Sequence, residues 1–420
     1  MKLKKSFWAQ LLIFLSVLGP GIITGSVDND AGGITTYSVA GAHYGYDLLW
    51  TLLPSFVALV VIQEINARMG IVTNKGLADL IRENFGVKIT FFILACLFIA
   101  DIGNTTAEFA GAAGSMQIFG LSKYIVVPVA ATLVWFLVVK GNYRGTEKVF
   151  LLFSAFLLLY VVSALMARPD WSEISRGAFR PKLQYTPAYL SLVIGVIGTT
   201  IAPWMQFYMQ SAVIEKNLTI KDYKYVKWDV VLGGIATMVV AFFIMVACAA
   251  TLHKAGIRVE EAKDAAAALR PLAGSLASGL FAFGLFIASV FSATVLPLAT
   301  AFYIAEAFGF EAGINKTWKS APEFYTLFTV IIAIAVAIIL IPKAPLITIT
   351  IWTQTLNGIL LPVVLISMIR LVNNKDIMGE YTNKTLSNLV SWATVISIIA
   401  LTAVLLVFPL FEKIHTALLG

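Results

Sequence analysis

"SVDNDAGGI", residues 26–34, puts two aspartates, an asparagine and two glycines just after a hydrophobic start, where an apolar helix is expected to continue. A carboxylate near the centre of a bilayer costs about 3 kcal/mol or more, so it faces a cavity or a partner. Two glycines in the same stretch weaken the helix at that point. The stretch therefore reads as a broken helix with carboxylates at the break, and the rest of the chain has to supply the reason.

The composition sets the class. Of 420 residues, 59% are hydrophobic and 13% charged, with mean hydropathy +0.87. Soluble domains carry about 25% charged residues, so this is a polytopic membrane protein. The basic and then apolar opening, "MKLKKSFWAQLLIFLSVLGPG", resembles a signal peptide, but no small-residue cleavage site follows, and it reads as a retained first helix. The net charge of +7 does not point to nucleic acid, because the basic residues lie in loops beside apolar spans. Cys96 and Cys248 both fall in apolar runs and read as core residues. Three scattered histidines exclude a histidine-rich zinc site.

Windows of about 20 apolar residues mark spans. They fall near 8–43, 48–69, 89–119, 123–140, 145–167, 187–215, 229–252, 276–308, 322–342, 346–372 and 386–410. The expected fold is thus an all-α membrane protein of eleven transmembrane helices forming one transporter domain over 1–420. With the N-terminus inside, 19 of the 30 Lys and Arg fall on the cytoplasmic side. That asymmetry predicts a cytoplasmic N-terminus and, with an odd number of spans, an external C-terminus. The "NKT" at 383 then lies in a cytoplasmic loop and carries no glycosylation signal.

Two spans are interrupted, the first at "DNDAGG" and the sixth at "GTTIAPWMQ", five spans apart. Paired breaks at corresponding places suggest inverted repeats, about 8–167 and 187–372, with an extra helix at 386–410 and a substrate site at the midplane. This is a leucine-transporter-like arrangement with broken helices 1 and 6. Irregular backbone at that depth is tolerated where it is buried in protein or lines a cavity.

The polar residues within the spans are the candidate site. Asp28 and Asp30 lie two apart, on opposite sides of a helix, so one is expected to coordinate and the other to line a vestibule. No Lys or Arg lies in the apolar body of any span, which leaves a transported cation or a proton as partner. In the third span Asp101, Asn104, Thr105 and Glu108 share one face and read as lining an aqueous path. Gln354 and Asn357 share a face of the tenth span, where ligation and interhelical hydrogen bonding are both open readings. Gln206 and Gln210 follow the second break. These oxygen donors suit a hard divalent cation.

The stretch "GPGIITGSVDNDAGGITTYSVAGAHYGYDLLW" resembles the first span of Nramp divalent-metal transporters. "QEINARMGIVTNKGLADLI" (63–81), "AEFAGAA" (107–113), "MGEYTN" (378–383) and Trp392 continue the resemblance along nearly the whole chain. The family carries Asp-Pro-Gly-Asn at the first break, and this chain has Asp30-Ala31-Gly32-Gly33. The family's Met-Pro-His at the sixth-span break becomes Ala202-Pro203-Trp204. Its third-span Asp-x-x-Glu becomes Thr105-x-x-Glu108, and Gln354 falls on the tenth-span glutamine. The resemblance thus implies a metal site at Asp30, Glu108, Ala202, Gln206 and Gln354. Pro203 to Ser211 is one residue longer than the family pattern, which leaves Met205 or Gln206 to turn toward the site.

These departures share a direction. Loss of a thioether removes a soft ligand, and Gly33 and Ala202 enlarge the site. Magnesium keeps several waters and binds through one or two carboxylates. The pattern is similar to that of the prokaryotic Nramp-related magnesium transporters. It implies import of Mg2+ with Mn2+ also carried, without a cofactor, by a monomer in the plasma membrane of a prokaryote. Trp204 and Thr105 exchange no proton, which implies uptake driven by the membrane potential. The alternatives are a proton-coupled Mn2+/Fe2+ importer and a transport-dead sensor of metal, which would want a large soluble output domain. A sodium-coupled amino-acid carrier fits poorly, because Asp28 and Asp30 would repel a substrate carboxylate. No nucleophile–base pair points to an enzyme.

Overall fold

The computed structural model describes residues 17–141 and 158–419 apart from 181, 185, 260–261 and 343–345, and also 145, 148, 149 and 152. The start of the first expected span and most of the first half of the fifth lie outside the described residues. Among the described residues all regular structure is helical. In chain order these are α1 (Pro20–Val27), α2 (Ala31–Tyr44), α3 (Leu52–Thr73), α4 (Leu77–Phe85), α5 (Val87–Gln117) and α6 (Lys123–Val139). There follow α7 (Leu159–Met166), α8 (Trp171–Phe179), α9 (Pro187–Thr200), α10 (Pro203–Glu215) and α11 (Tyr223–Cys248). The chain ends with α12 (Ala262–Phe308), α13 (Pro322–Leu340), α14 (Leu346–Val372), α15 (Lys375–Met378) and α16 (Thr385–Leu419).

Among the described residues, seven helices are long and apolar enough to cross a bilayer. The number is eight if Leu356–Val372 is joined to Lys375–Tyr381, which is bent from it by 67°. The 8 residues of α1 and 14 of α2 are each too short to span alone. Large apolar side chains such as Phe91, Phe92, Ile99, Val129, Leu133 and Ile396 are exposed, as a lipid-facing surface requires.

Both expected interruptions are present, and each has a local cause. At the first, Asp30 takes an extended conformation (φ −72°, ψ 179°) and its side chain caps α2 by accepting from the Gly33 amide. At the second, Ile201 and Ala202 leave the helical region and Pro203 opens α10. Proline lacks an amide proton and pushes the residue before it into extended conformation, so α9 has to end here.

The two breaks sit on one boundary. Ile23 and Val27 of α1 pack in one apolar core with α3, α5, α10, α13 and α14. Ala31, Ile34 and Tyr37 of α2 belong to a second core with α9 and α11. The sixth-span segment divides in the same way, with Val193 and Val196 in the second core and Ile201, Ala202 and Met205 in the first. Polar side chains at the breaks therefore form a layer between two apolar bodies.

The helix α11 fixes α1. Asp229 accepts from the amides of Gly19 (3.0 Å), Gly21 (2.6 Å) and Ile22 (3.3 Å), groups that a helix start leaves without partners. One turn deeper Gly21 and Gly233 bring the backbones together, since a Cβ at Gly21 would sit 2.7 Å from the Asp229 carbonyl carbon. Thr237 then donates to the Gly25 carbonyl. Replacing Asp229 with Ala would strand two buried amides and a part-buried one, at about 1–3 kcal/mol for each buried unsatisfied group. Asp229→Ala should therefore lower the melting temperature in detergent well below that of Asp229→Asn, which keeps an acceptor; equal melting temperatures would show that the carboxylate does not hold α1.

Candidate functional site

The first break is rich in buried acceptors without donors. Asp28 is 1% exposed, and neither of its carboxylate oxygens has a hydrogen-bond partner. Asn29 Oδ1 is also unpartnered, while its Nδ2 donates to the Thr237 carbonyl at 3.4 Å. Asp30 Oδ1 accepts from the Gly33 amide at 2.5 Å. Glu108 reaches across from α5, its Oε2 accepting from the Ala31 amide at 3.0 Å and its Oε1 unpartnered. Thr105, one turn earlier on α5, has an unpartnered buried hydroxyl. No Lys or Arg forms an ion pair with Asp28, Asp30 or Glu108 among the described residues.

Glycine lets two further helices approach. A Cβ on Gly32 would run into Nε2 of Gln354 from α14 and lie 3.3 Å from Asp30 Oδ1. A Cβ on Gly33 would collide with the Asp28 carbonyl and lie 3.2 Å from both Asp30 Oδ1 and Thr199 Oγ1. Asp30, Gln354 and Thr199 thus surround the glycine pair, and Tyr37 and Thr200 bond at 3.0 Å to tie α2 to α9 beside them.

The electrostatics are asymmetric. Amides at the positive end of α2 hold Asp30 and one oxygen of Glu108. Asp28 stands at the negative, carbonyl end of α1 with no donor at all. An unpaired carboxylate in a low-dielectric site is costly, so this end calls for a cation or a proton. Among the described residues no three His, Cys, Asp or Glu converge as a metal cage. Ligation here would combine carboxylate, amide and backbone oxygens.

Several expected site residues sit elsewhere. Gln206 donates to the Ala202 carbonyl at 3.1 Å, and its oxygen accepts from Asn66 of α3. Its amide closes the start of α10 and does not point at the first break. Ala202 caps α10, small and buried. Met205 is fully buried in the first apolar core, and the oxygen of Gln206, the other residue of the register alternative, is taken by Asn66. Gln210 lies one turn after Gln206 and donates to the Lys75 carbonyl at 2.6 Å, at the connection between α3 and α4.

The expectation of an open stripe along α5 is also modified. Asp101 accepts from Thr300 (2.8 Å), Tyr303 (3.0 Å) and Asn104 (3.3 Å). Asn104 in turn accepts from Asn357 at 3.1 Å. Asp101, Asn104 and Asn357 form a bridge joining α5, α12 and α14 instead of lining a path. Of that stripe, Thr105 and Glu108 keep unpartnered oxygens, and Glu108 reaches the break through the Ala31 amide. Thr199 and Asn66 were missed by the sequence reading; "GTT" and "QEINARMG" each carried a polar residue within an apolar run. Cys248 is buried in the second core, as expected of a core residue, whereas Cys96 is only partly buried against the first.

An all-helical bundle built round two broken segments, with an acidic break between two cores, defines a multi-pass membrane transporter. Residues 21–408 match the family model for natural resistance-associated macrophage protein-like (Nramp) proteins, and the chain belongs to that family. It is 30% identical to the divalent metal cation transporter MntH of Deinococcus radiodurans over 93% of this chain and 89% of that protein. It is 27% identical to the MntH of a Nostoc species, over 97% and 93%. Among solved structures, a manganese transporter of Eremococcus coleocola superposes with TM-score 0.76 at 21% identity, covering 97% of this chain and 88% of that one. The nucleobase-cation-symport-1 family transporter MHP1 shares the fold more distantly, with TM-score 0.58 at 12% identity over 94% and 93%.

If Gln354 and Asp30 share a ligand across Gly32, a single methyl group at that position separates them. Gly32→Ala should weaken divalent-cation binding about tenfold or more, the scale of one lost charge-assisted contact. Isothermal titration with Mg2+ and Mn2+ measures this, and unchanged affinity would place the ligand away from Gly32.

Proposed function

We propose that this protein imports divalent metal cations, with Mg2+ preferred and Mn2+ also carried, through a site at the first helix break. The observation that carries this reading is the set of buried oxygen acceptors without donors on Asp28, Asn29 and Glu108, with Thr105 one turn before Glu108 on α5 and with Asp30 and Gln354 about the glycine pair. They offer carboxylate, amide and hydroxyl oxygen, with no thiolate or imidazole among them. Such donors suit hard cations that retain water. In this reading Asp30 and Asp28 draw in the cation, Glu108 acts directly or through a bound water, and Gln354 and the carbonyl end of α1 complete the ligand set. Its names for relatives, divalent metal cation transporter and manganese transporter, agree with a divalent cargo.

The same proposal takes eleven spans in two inverted five-helix repeats, about 8–167 and 187–372, with the N-terminus in the cytoplasm. The matched breaks at 28–30 and 201–203 and the Lys and Arg asymmetry support it. Energy need not come from protons. An inside-negative potential favours entry of a divalent ion by about 4.6 kcal/mol per 100 mV, twice the single-charge value. A second reading, the proton-coupled Mn2+ or Fe2+ importer, draws on one specific feature: an unpaired buried carboxylate such as Asp28 has reason to hold a proton when no cation is bound.

Uptake into liposomes tests the site. Asp30→Ala should abolish uptake of Mg2+ and Mn2+ by folded protein, and Glu108→Gln should weaken both by about tenfold or more, a loss of one charged ligand. Retained Mg2+ uptake in Asp30→Ala would remove Asp30 from the pathway.

Selectivity has its own test. Ala202→Met restores a thioether at the start of α10, and soft ligands favour later transition metals. The ratio of Mn2+ or Cd2+ to Mg2+ uptake should rise; an unchanged ratio would show that residue 202 does not reach the ion.

Coupling is read from internal pH during the same uptake. The potential-driven account expects no acidification beyond that of empty vesicles, whereas acidification that tracks metal entry would establish the proton-coupled reading.

A further inference from the structure

One cavity shares no lining residue with the helix breaks. It has a volume of about 500 Å3 and opens between α3, the start of α11 and the segment 380–387. The lining changes character along both helices. On α3, Val60 and Val61 give way to Glu64 and Arg68 at one-turn intervals; on α11, Val231 gives way to Lys227 and Tyr223. Both helices thus have their apolar residues deeper in the bundle and their polar residues at the same end. Trp228 and Trp392, both largely exposed nearby in sequence, are the kind of residue that marks a membrane–water boundary.

The polar end divides into a satisfied floor and an open mouth. Arg68 pairs with Glu64 at 3.1 Å, and its other nitrogens donate to the Tyr381 carbonyl and to Asn383 Oδ1 at 2.5 Å. Tyr223 donates to Glu64. That floor is neutral and its donors are committed. Lys227, held over the Tyr223 ring at 4.4 Å, and Lys384 have no ion-pair partner among the described residues, and both are exposed at the mouth. Glu380 opposes them, leaving the lining one positive charge in excess.

We propose that this cavity binds a glycerophospholipid with a singly anionic head group. Its phosphate lies between Lys227 and Lys384, and its acyl chains run along Val60, Val61 and Val231. A free phosphate would use the lysines and leave the apolar depth empty; an uncharged amphiphile would use the depth and leave the lysines unpaired. Only an amphiphile with an anionic head matches both, and basic pockets between helices at the membrane boundary bind such head groups. Placement in the inner leaflet rests on the orientation proposed above, but the chemistry of the ligand does not.

The full chain in nanodiscs tests the site through lipid retention, read by native mass spectrometry, which is independent of metal uptake. In phosphatidylcholine discs doped with phosphatidylglycerol, the wild type should retain phosphatidylglycerol selectively. The double variant Lys227→Gln, Lys384→Gln should bind it about thirtyfold more weakly, the effect of two charges near a membrane surface. Val231→Trp, which fills the apolar depth and leaves the charges in place, should also lose the lipid. In a thermal-shift arm, short-chain phosphatidylglycerol should stabilise the wild type and inorganic phosphate should not. Equal retention by wild type and double variant, equal retention of phosphatidylcholine, or an equal shift with inorganic phosphate would each overturn the proposal.

Discussion

Asp28 carries two carboxylate oxygens that accept no hydrogen bond, and among the described residues no Lys or Arg pairs with them. Leaving an ionised group in that condition is more costly than any single packing contact in the fold is favourable. The surrounding architecture keeps the carboxylate there all the same, because α1 ends before it, α2 begins after it, and their apolar residues are held in two different cores. Occupancy of the break by a positive charge, whether a metal ion or a proton, is the constraint from which the functional reading follows.

The scaffold holds that break in place through contacts made elsewhere. Asp229 secures the start of α1 through backbone amides, and Gly21 with Gly233 lets α11 lie against it. On the other side, Glu108 and the Asp30 cap secure the first turn of α2. Apolar residues of α1 and α2 belong to different cores, while α11 packs against both short helices, so the acidic layer lies where the two cores meet. A cation bound there would lie between the two cores.

Much of this was legible in the sequence, and the limits have a physical origin. Composition and apolar windows exposed the membrane class, because bilayer thickness fixes span length. The breaks stood out since glycines, carboxylates and Pro203 interrupt helices by local chemistry. Asp30, Glu108 and Gln354 could be placed at the break by residue type and by resemblance. The hydrogen-bond partners of Asp101 and Gln206 could not be read from the sequence, because helical periodicity tells which residues share a face and not which neighbour meets that face. The partners of Asp101, Thr300 and Tyr303, lie about 200 residues away on α12. The partner of Gln206 is Asn66, 140 residues earlier. The glycine contacts that bring Gln354 to Asp30 were likewise invisible until α14 was seen against α2.

The most direct test of the account is the location of the bound ion. Manganese accepts the same oxygen ligands as magnesium and scatters anomalously, so crystals of the protein grown with Mn2+ give its position without reference to transport. The account predicts a dominant anomalous peak at the first break, within direct or water-bridged reach of Asp28 and Asp30 and beside Gln354. A dominant peak elsewhere, with the break unoccupied at saturating Mn2+, would contradict it.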